Sequence, residues 1–229
     1  MKILALESSA KSASVCITED TRLIAQYFQC SGLTHSRTLL KMAEDMLKSL
    51  DMQVSDADMI AAAHGPGSFT GIRIGVAAAK GLAWGADLAV CGVSTLEAMA
   101  HGAKYCTDKI ICPVMDARRA QVYNAKFEIT DGVVQRLCPD RAISIQQLIS
   151  EAAGDEKEYL LIGDGAELCA EEFKRAGVKY SLPPENLIMQ SAYGVAAAAF
   201  QKGPQDDIVP NYLRLSQAER ERLERGEKI

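Results

Sequence analysis

Residues 65–85 read GPGSFTGIRIGVAAAKGLAWG, a glycine-bearing loop that runs into a segment of small apolar residues. A loop of this kind at the start of a helix can hold a phosphate, because the first helical amides are unpaired and the dipole favours an anion. The chemistry here is incomplete. The residue after Gly71 is Ile72, where a Walker loop requires lysine, and Gly65, Gly67 and Gly71 only approach the GxGxxG spacing. The other use of such glycines is steric, to let two backbones touch.

Other reactive side chains are scattered. Cys16, Cys30, Cys91, Cys106, Cys112, Cys138 and Cys169 form no CxxC pair, and His35, His64 and His101 do not cluster with them. Small buried thiols in a reducing compartment are expected, without a zinc site. No HExxH occurs, and Ser68, His64 and Asp58 form no recognisable hydrolase motif.

The elements that must position these residues follow from periodicity. KILALE (2–7), SASVCI (12–17) and RLIAQYFQ (22–29) read as strands of an antiparallel meander. HSRTLLKMAEDMLKSL (35–50) reads as a helix whose apolar arc spans about 160°. MIAAAH (59–64) and LAVCGV (88–93) are buried strands, with a helix from about Thr70 to Trp84 between them and another over 94–105 capped by Ser94. The second half starts again with IICPVMD (110–116), QVYNAKFEI (121–129) and VVQRLCP (133–139) as strands. A helix capped by Ser144, the strand YLLIGDG (159–165), a helix ending at Gly177 and a helix over 191–203 follow. Each half therefore presents strands first, then helix, strand, helix. A mixed α/β protein with a repeated unit and a cleft between its halves is expected.

The helix after the glycine loop is apolar nearly all round. With Ile72 at zero, Val76, Ala79 and Ala83 fall within about 40°, while Ile74, Ala77, Ala78 and Gly81 lie opposite. Only Arg73 and Lys80 are charged, along one edge. Such a helix is buried on more than one face, within its own chain or with one face on a partner. Net charge is −5, which argues against a large autonomous nucleic-acid surface. No run of 18 apolar residues suggests a membrane span, and the apolar run in MKILALESSA is too short for a signal peptide.

In order along the chain, ILALESS, HS..LL, GPGSFTGIRIGVAAAKGLA, GVSTLEAMA, MDARRAQVY (115–123) and PNYLR (210–214) resemble the TsaB (YeaZ) family. The resemblance spans the whole chain, densely to Tyr123 and sparsely from there to Pro210. It implies the two-lobed actin-like, Hsp70-like and sugar-kinase-like (ASKHA) α/β fold, with lobes over 1–105 and 106–209 and a charged tail over 210–229. It implies a cytoplasmic, non-catalytic scaffold for threonylcarbamoylation of the adenosine beside the anticodon of ANN-reading tRNAs. The implied partners are the catalytic relative TsaD, through a helix bundle, and the ATPase TsaE. Contact with tRNA would be indirect, and a homodimer would form when the chain is alone.

In TsaD two histidines of an HLEGH-type motif bind a metal. The matching positions here are Thr95 and Met99, which cannot replace them, so no metal site and no catalytic residue are expected. Of the fold's two phosphate loops, the first would be ESSAKSA (7–13) and the second DARRAQ (116–121), which has no glycine; GDGA (163–166) stands at the adenosine loop. Vestigial nucleotide contacts are thereby implied at Glu7, Ser8, Ser9, Asp116, Gly163 and Gly165. No cofactor would be tightly bound, with ATP or ADP confined to a joint with a partner. The partner-binding candidates are Leu39, Met42, Met46, Ile72, Arg73, Val76, Lys80 and Ala83. The competing reading is an autonomous ATPase or kinase of the same fold.

Overall fold

The computed structural model describes residues 1–105 and 109–214, together with Arg222 and Arg225. Cys106 and almost all of the charged tail after Arg214 lie outside the described residues.

The first lobe is built on β1 (Lys2–Glu7), β2 (Ala13–Glu19) and β3 (Arg22–Gln29), the expected meander. Then come α1 (His35–Ser49), a 3-10 turn at Val54–Asp56, β4 (Met59–Gly65), α2 (Phe69–Ala86), β5 (Ala89–Ser94) and α3 (Thr95–Ala103). The sheet order is β3-β2-β1-β4-β5, with β4 parallel to both β1 and β5.

The second lobe contains β6 (Ile110–Arg118), β7 (Gln121–Asn124), β8 (Phe127–Thr130), β9 (Val133–Arg136), β10 (Arg141–Ser144) and α4 (Ile145–Ala153). It continues with β11 (Tyr159–Ile162), α5 (Ala166–Arg175), β12 (Tyr180–Ser181), α6 (Glu185–Ile188) and α7 (Ala192–Lys202). The sheet runs β10-β7-β6-β11-β12, with β8 joining β6 to β9. The strand expected over 121–129 is two strands. Asn124 is fully buried at the break, and its side-chain amide donates to the carbonyls of Pro113 and Ala125, both at 3.0 Å. The broken strand leaves β7 and β8 on separate stretches of β6, at Val114↔Asn124 and Ile111↔Phe127.

The alternation of β1 and β4 explains why both read as continuous apolar runs. Leu4, Leu6, Ile60 and Ala62 face α1 and α2. Ile3, Ala5, Met59, Ala61 and Ala63 face α7. A sheet covered on both sides needs apolar residues on both. Helix α7, read from the sequence as part of the second lobe, thus covers the first sheet. Its alanines let it lie close to β1 and β4, where Ala5, Ala61 and Ala63 are also small. Helix α3 packs against α7 and turns Leu96, Met99, Ala100 and Ala103 toward the second sheet, forming the core that joins the lobes. Residues 204–214 do not follow α7 outward. They return across the first lobe, with Gln205 bridged to Val90 and Ile208 buried in its core.

Candidate functional site

A cleft of about 410 Å³ lies between the lobes, lined by Ser9–Lys11, Gly67–Phe69, Asp116–Arg118, Tyr123, Asp164 and Asn211–Arg214. The glycine loop borders it but is occupied by its own chain. Ser68 N donates to the Ser9 carbonyl at 2.6 Å, and Ser8 Oγ donates to the Gly71 carbonyl at 2.9 Å. A Cβ at Gly71 would lie 2.1 Å from the Ser8 carbonyl oxygen, and one at Gly67 2.3 Å from that of Ser9. At the start of α2, Gly71 N donates to Ser68 Oγ and Ile72 N to the Ser68 carbonyl. The amides of Ser68, Gly71 and Ile72 are therefore taken, and the glycines serve backbone contact.

The GDGA turn is used in the same way. Gly163 has φ +112, a Cβ there would sit 2.3 Å from the Val114 carbonyl oxygen, and Gly165 N donates to that carbonyl at 3.1 Å. The DARRAQ loop bends without glycine. Arg118, Arg119 and Ala120 all adopt left-handed φ, at 67°, 56° and 54°. Each such residue costs about 1–2 kcal/mol, so surrounding contacts must hold the loop. Asp116 supplies one, accepting from Arg118 N at 2.7 Å and pairing with its guanidinium at 3.2 Å. Arg214 supplies another by donating to the Ala117 carbonyl.

The acidic groups near the cleft are unevenly solvated. Glu7 is fully buried; its Oε1 accepts from Ser9 N at 2.6 Å, while Oε2 has no partner. Burial raises its pKa to about 7, and the Asp164 carboxylate pushes the same way. Burial also raises Asp164, whose Oδ1 accepts a long 3.5 Å bond from Gln190 Nε2. Ser9 Oγ is buried with no partner among the described residues. Of the implied nucleotide contacts, Ser9 and Asp116 line the cleft and Glu7 lies beneath it. Ser8, Gly163 and Gly165 are spent on contacts within the chain. The sequence reading missed Lys11, Phe69, Tyr212 and Arg214. The last two lie in PNYLR, a motif of the resemblance that is counted with the charged tail over 210–229.

Thr95 and Met99 are buried, Met99 within the core between the lobes, and His101 is buried beyond them with its pKa pushed down to about 4 by burial. Among the described residues no group of three or more His, Cys, Asp or Glu is placed to hold a metal. Ser68 caps α2, His64 Nδ1 lies 3.0 Å from the Val209 carbonyl, and Asp58 accepts from Lys2 N at 2.6 Å. The three are thus held by separate partners and are not linked to one another as a hydrolase's catalytic set would be.

The partner-binding candidates need correction. Leu39, Met42, Met46, Ile72, Val76 and Ala83 are all buried in the core between α1, α2 and the first sheet. The sheet needs an apolar cover on this side, and these side chains supply it. Arg73 and Lys80 are exposed but engaged: Arg73 Nε donates to Tyr212 Oη at 2.7 Å, and Lys80 pairs with Asp207 at 2.6 Å. The more exposed side of α2 is the opposite one. Ile74, Ala78 and Leu82 are half-buried there and still pack at the edge of the core, whereas Ala77, Gly81 and Gly85 are exposed beside Trp84, which is 90% exposed. Among the described residues, a Cβ at Gly81 or Gly85 would meet nothing within 4 Å.

Comparison with known proteins agrees with this architecture. The family model described as TsaD: tRNA N6-adenosine threonylcarbamoyltransferase matches residues 30–220. The Bacillus subtilis (strain 168) tRNA threonylcarbamoyladenosine biosynthesis protein TsaB is 30% identical over 98% of this chain and 99% of its own. The crystal structure of YeaZ from Pseudomonas aeruginosa superposes with a TM-score of 0.77 at 23% identity, covering 93% of this chain and 99% of that one. Component A of the Acidaminococcus fermentans (R)-2-hydroxyglutaryl-CoA dehydratase superposes with a TM-score of 0.53 at 12% identity, over 88% of this chain and 98% of that one. The fold is thus the two-lobed actin-like, Hsp70-like and sugar-kinase-like one. With a full-length relative at this identity and a family model spanning most of its length, the chain belongs to the TsaB (YeaZ) family within the wider TsaD group.

Proposed function

We propose that this chain is a non-catalytic subunit in tRNA threonylcarbamoyladenosine biosynthesis, which docks on the catalytic relative TsaD through the outer face of α2. One observation carries the reading: Gly81 and Gly85 lie in a helix, on an exposed face, where a Cβ would touch nothing. Glycine inside a helix costs about 1 kcal/mol relative to alanine. None of the described residues needs those glycines, whereas a second helix laid against Ala77, Gly81 and Gly85 would. Ile74, Leu82 and the exposed Leu40 of α1 would give such a contact its apolar area.

The non-catalytic role is supported by Thr95 and Met99, which offer no ligand set for a metal at the transferase's histidine positions. Nucleotide held by the chain alone would be weak, since the loop glycines are filled by backbone. ATP or ADP would instead sit where a partner completes the cleft. TsaE would join the pair, tRNA would be reached through the complex, and the same apolar face would pair two copies in the absence of TsaD. The complex would work in the cytoplasm.

Light scattering coupled to size-exclusion chromatography tests this, using the chain alone and mixed with TsaD of the same organism. A one-to-one species that replaces a homodimer is the expected result. A monomer that forms no complex overturns it, and titration calorimetry with ATP would then test the autonomous ATPase reading.

A further inference from the structure

The segment 205–214 forms a strap along one edge of α2. Asp207 pairs with Lys80 at 2.6 Å. Asn211 N donates to the His64 carbonyl at 2.7 Å. Tyr212 stacks on Phe69 with ring centroids 4.5 Å apart, and the Arg73 guanidinium lies 3.8 Å from the Phe69 ring centre while donating to the Tyr212 hydroxyl. The strap therefore runs antiparallel to the helix, with residue 207 against residue 80 and residue 212 against residue 73. Two residues beyond Tyr212, Arg214 donates to the Ala117 carbonyl of the second lobe's left-handed loop.

This geometry limits relative movement. From Tyr212 to Arg214 the chain can span about 7 Å. If the first turns of α2 move away from the second lobe by more than a few ångströms, either the Phe69–Tyr212–Arg73 stack or the Arg214 bond must break. The loop at the far end is the strained one, with three consecutive left-handed residues, so it depends on outside contacts. Phe69, Tyr212 and Arg214 also line the interlobe cleft. Arg73 lies about 100° round the helix from Ile72, at the border between the strap edge and the outer face around Gly81. A partner covering Ile74 and Ala77 must meet it.

We propose that the strap is a latch between α2 and the second lobe, so that docking on α2 and closure of the interlobe cleft are coupled. The docking half rests on the function proposed above, whereas the latch stands on the chain alone. A partner that binds better with Arg73 in its stack tightens the cleft, and one that pulls it out releases the 116–120 loop.

Hydrogen exchange read by mass spectrometry on the full chain tests this. Arg214→Ala is expected to speed exchange of the amides in 116–120 roughly tenfold, as loss of one holding hydrogen bond allows. Tyr212→Ala should do the same and also loosen 68–73, and Arg214→Lys, which keeps a donor, should restore part of the protection. If Tyr212→Ala fails to fold by circular dichroism, Tyr212→Phe removes only the hydrogen bond from Arg73 and should speed the same exchange to a smaller extent. In complex with TsaD, the parent chain should gain protection at 116–120, and Arg214→Ala should bind within about twofold but gain none. Unchanged exchange at 116–120 in the free Arg214 and Tyr212 variants overturns the latch, and so does equal protection of that loop in the Arg214→Ala complex. If no complex forms, the docking reading falls, and free-chain exchange alone decides the latch.

Discussion

The same substitution at two positions of α2 should have opposite effects. At Gly71 a Cβ would lie 2.1 Å from the Ser8 carbonyl oxygen, well inside any tolerated contact. That oxygen belongs to a backbone turn, and the turn is fixed by Ser68 N on the Ser9 carbonyl and by Ser8 Oγ on the Gly71 carbonyl. It cannot swing aside as a flexible side chain would. Overpacking of this kind costs about 1–3 kcal/mol or more, set against about 1 kcal/mol gained in helix propensity. Because the clash is with backbone, Gly71→Ala should lose about 2 kcal/mol net. At Gly81 no atom of the described residues lies within 4 Å of the new methyl, so Gly81→Ala should keep the propensity gain of up to about 1 kcal/mol. For a chain of this length each kcal/mol moves Tm by roughly 2–4 °C. Urea and thermal melts followed by circular dichroism should thus place Gly71→Ala below the parent and Gly81→Ala above it. The Gly81 variant should nevertheless bind TsaD more weakly, because its methyl stands where a second helix would lie. A Gly71→Ala protein as stable as the parent would refute the account of the loop glycines. A destabilised Gly81→Ala protein would refute the claim that this face is free in the chain alone.

Three further outcomes follow from burial and charge. Ile74→Glu, on the outer face, should leave the chain folded and abolish co-purification with TsaD, whereas Val76→Glu should unfold it, since Val76 is only 5% exposed and an unpaired buried carboxylate costs several kcal/mol. Both can be read by pull-down and circular dichroism. Glu7 titrates near 7 when folded and near 4.5 when unfolded, so the unfolded chain releases its proton first and this group lowers stability as pH rises from about 4.5 through about 7. The full effect is roughly 3 kcal/mol, and urea midpoints should show Glu7→Gln gaining on the parent between pH 5 and pH 8, by up to about that amount. His101 has the opposite sign. Its folded pKa of about 4 lies below the unfolded 6.5, so its contribution is lost as pH falls from about 6.5 to about 4, and His101→Asn should flatten the acid limb of the same melts.

Much of the fold was legible because both halves follow simple periodicities. The meander of β1 to β3, the two amphipathic helices and the Ser94 and Ser144 caps appear where alternation, 3.6-residue spacing and cap chemistry put them. The break at Asn124 was not legible. QVYNAKFEI alternates from Tyr123 to Ile129, straight through the break, and only pairing with β6 shows that its two ends lie on different stretches of that strand. Helix α7 reads as a generic alanine-rich helix, and its apolarity on all sides says that it is buried without saying against which lobe.

The candidate site divides along the same line. The sequence alone determined the family, through its motif order, and the absence of the transferase's histidines, because Thr95 and Met99 are the residues present. It also placed Ile72, Val76 and Ala83 on one side of α2 and Ile74, Ala77 and Gly81 on the other. It did not say which side faces the sheet, because a helix wheel reports angles within one helix and carries no reference to its neighbours. The tertiary structure decided that, turning the larger aliphatic row inward and leaving Gly81 and Gly85 outward. It also decided what the GPGSFTG glycines do. Gly67 and Gly71 meet Ser9 and Ser8, about sixty residues earlier in the chain, and Gly65 meets Asn211 far later in it, and only folding brings those backbones within reach.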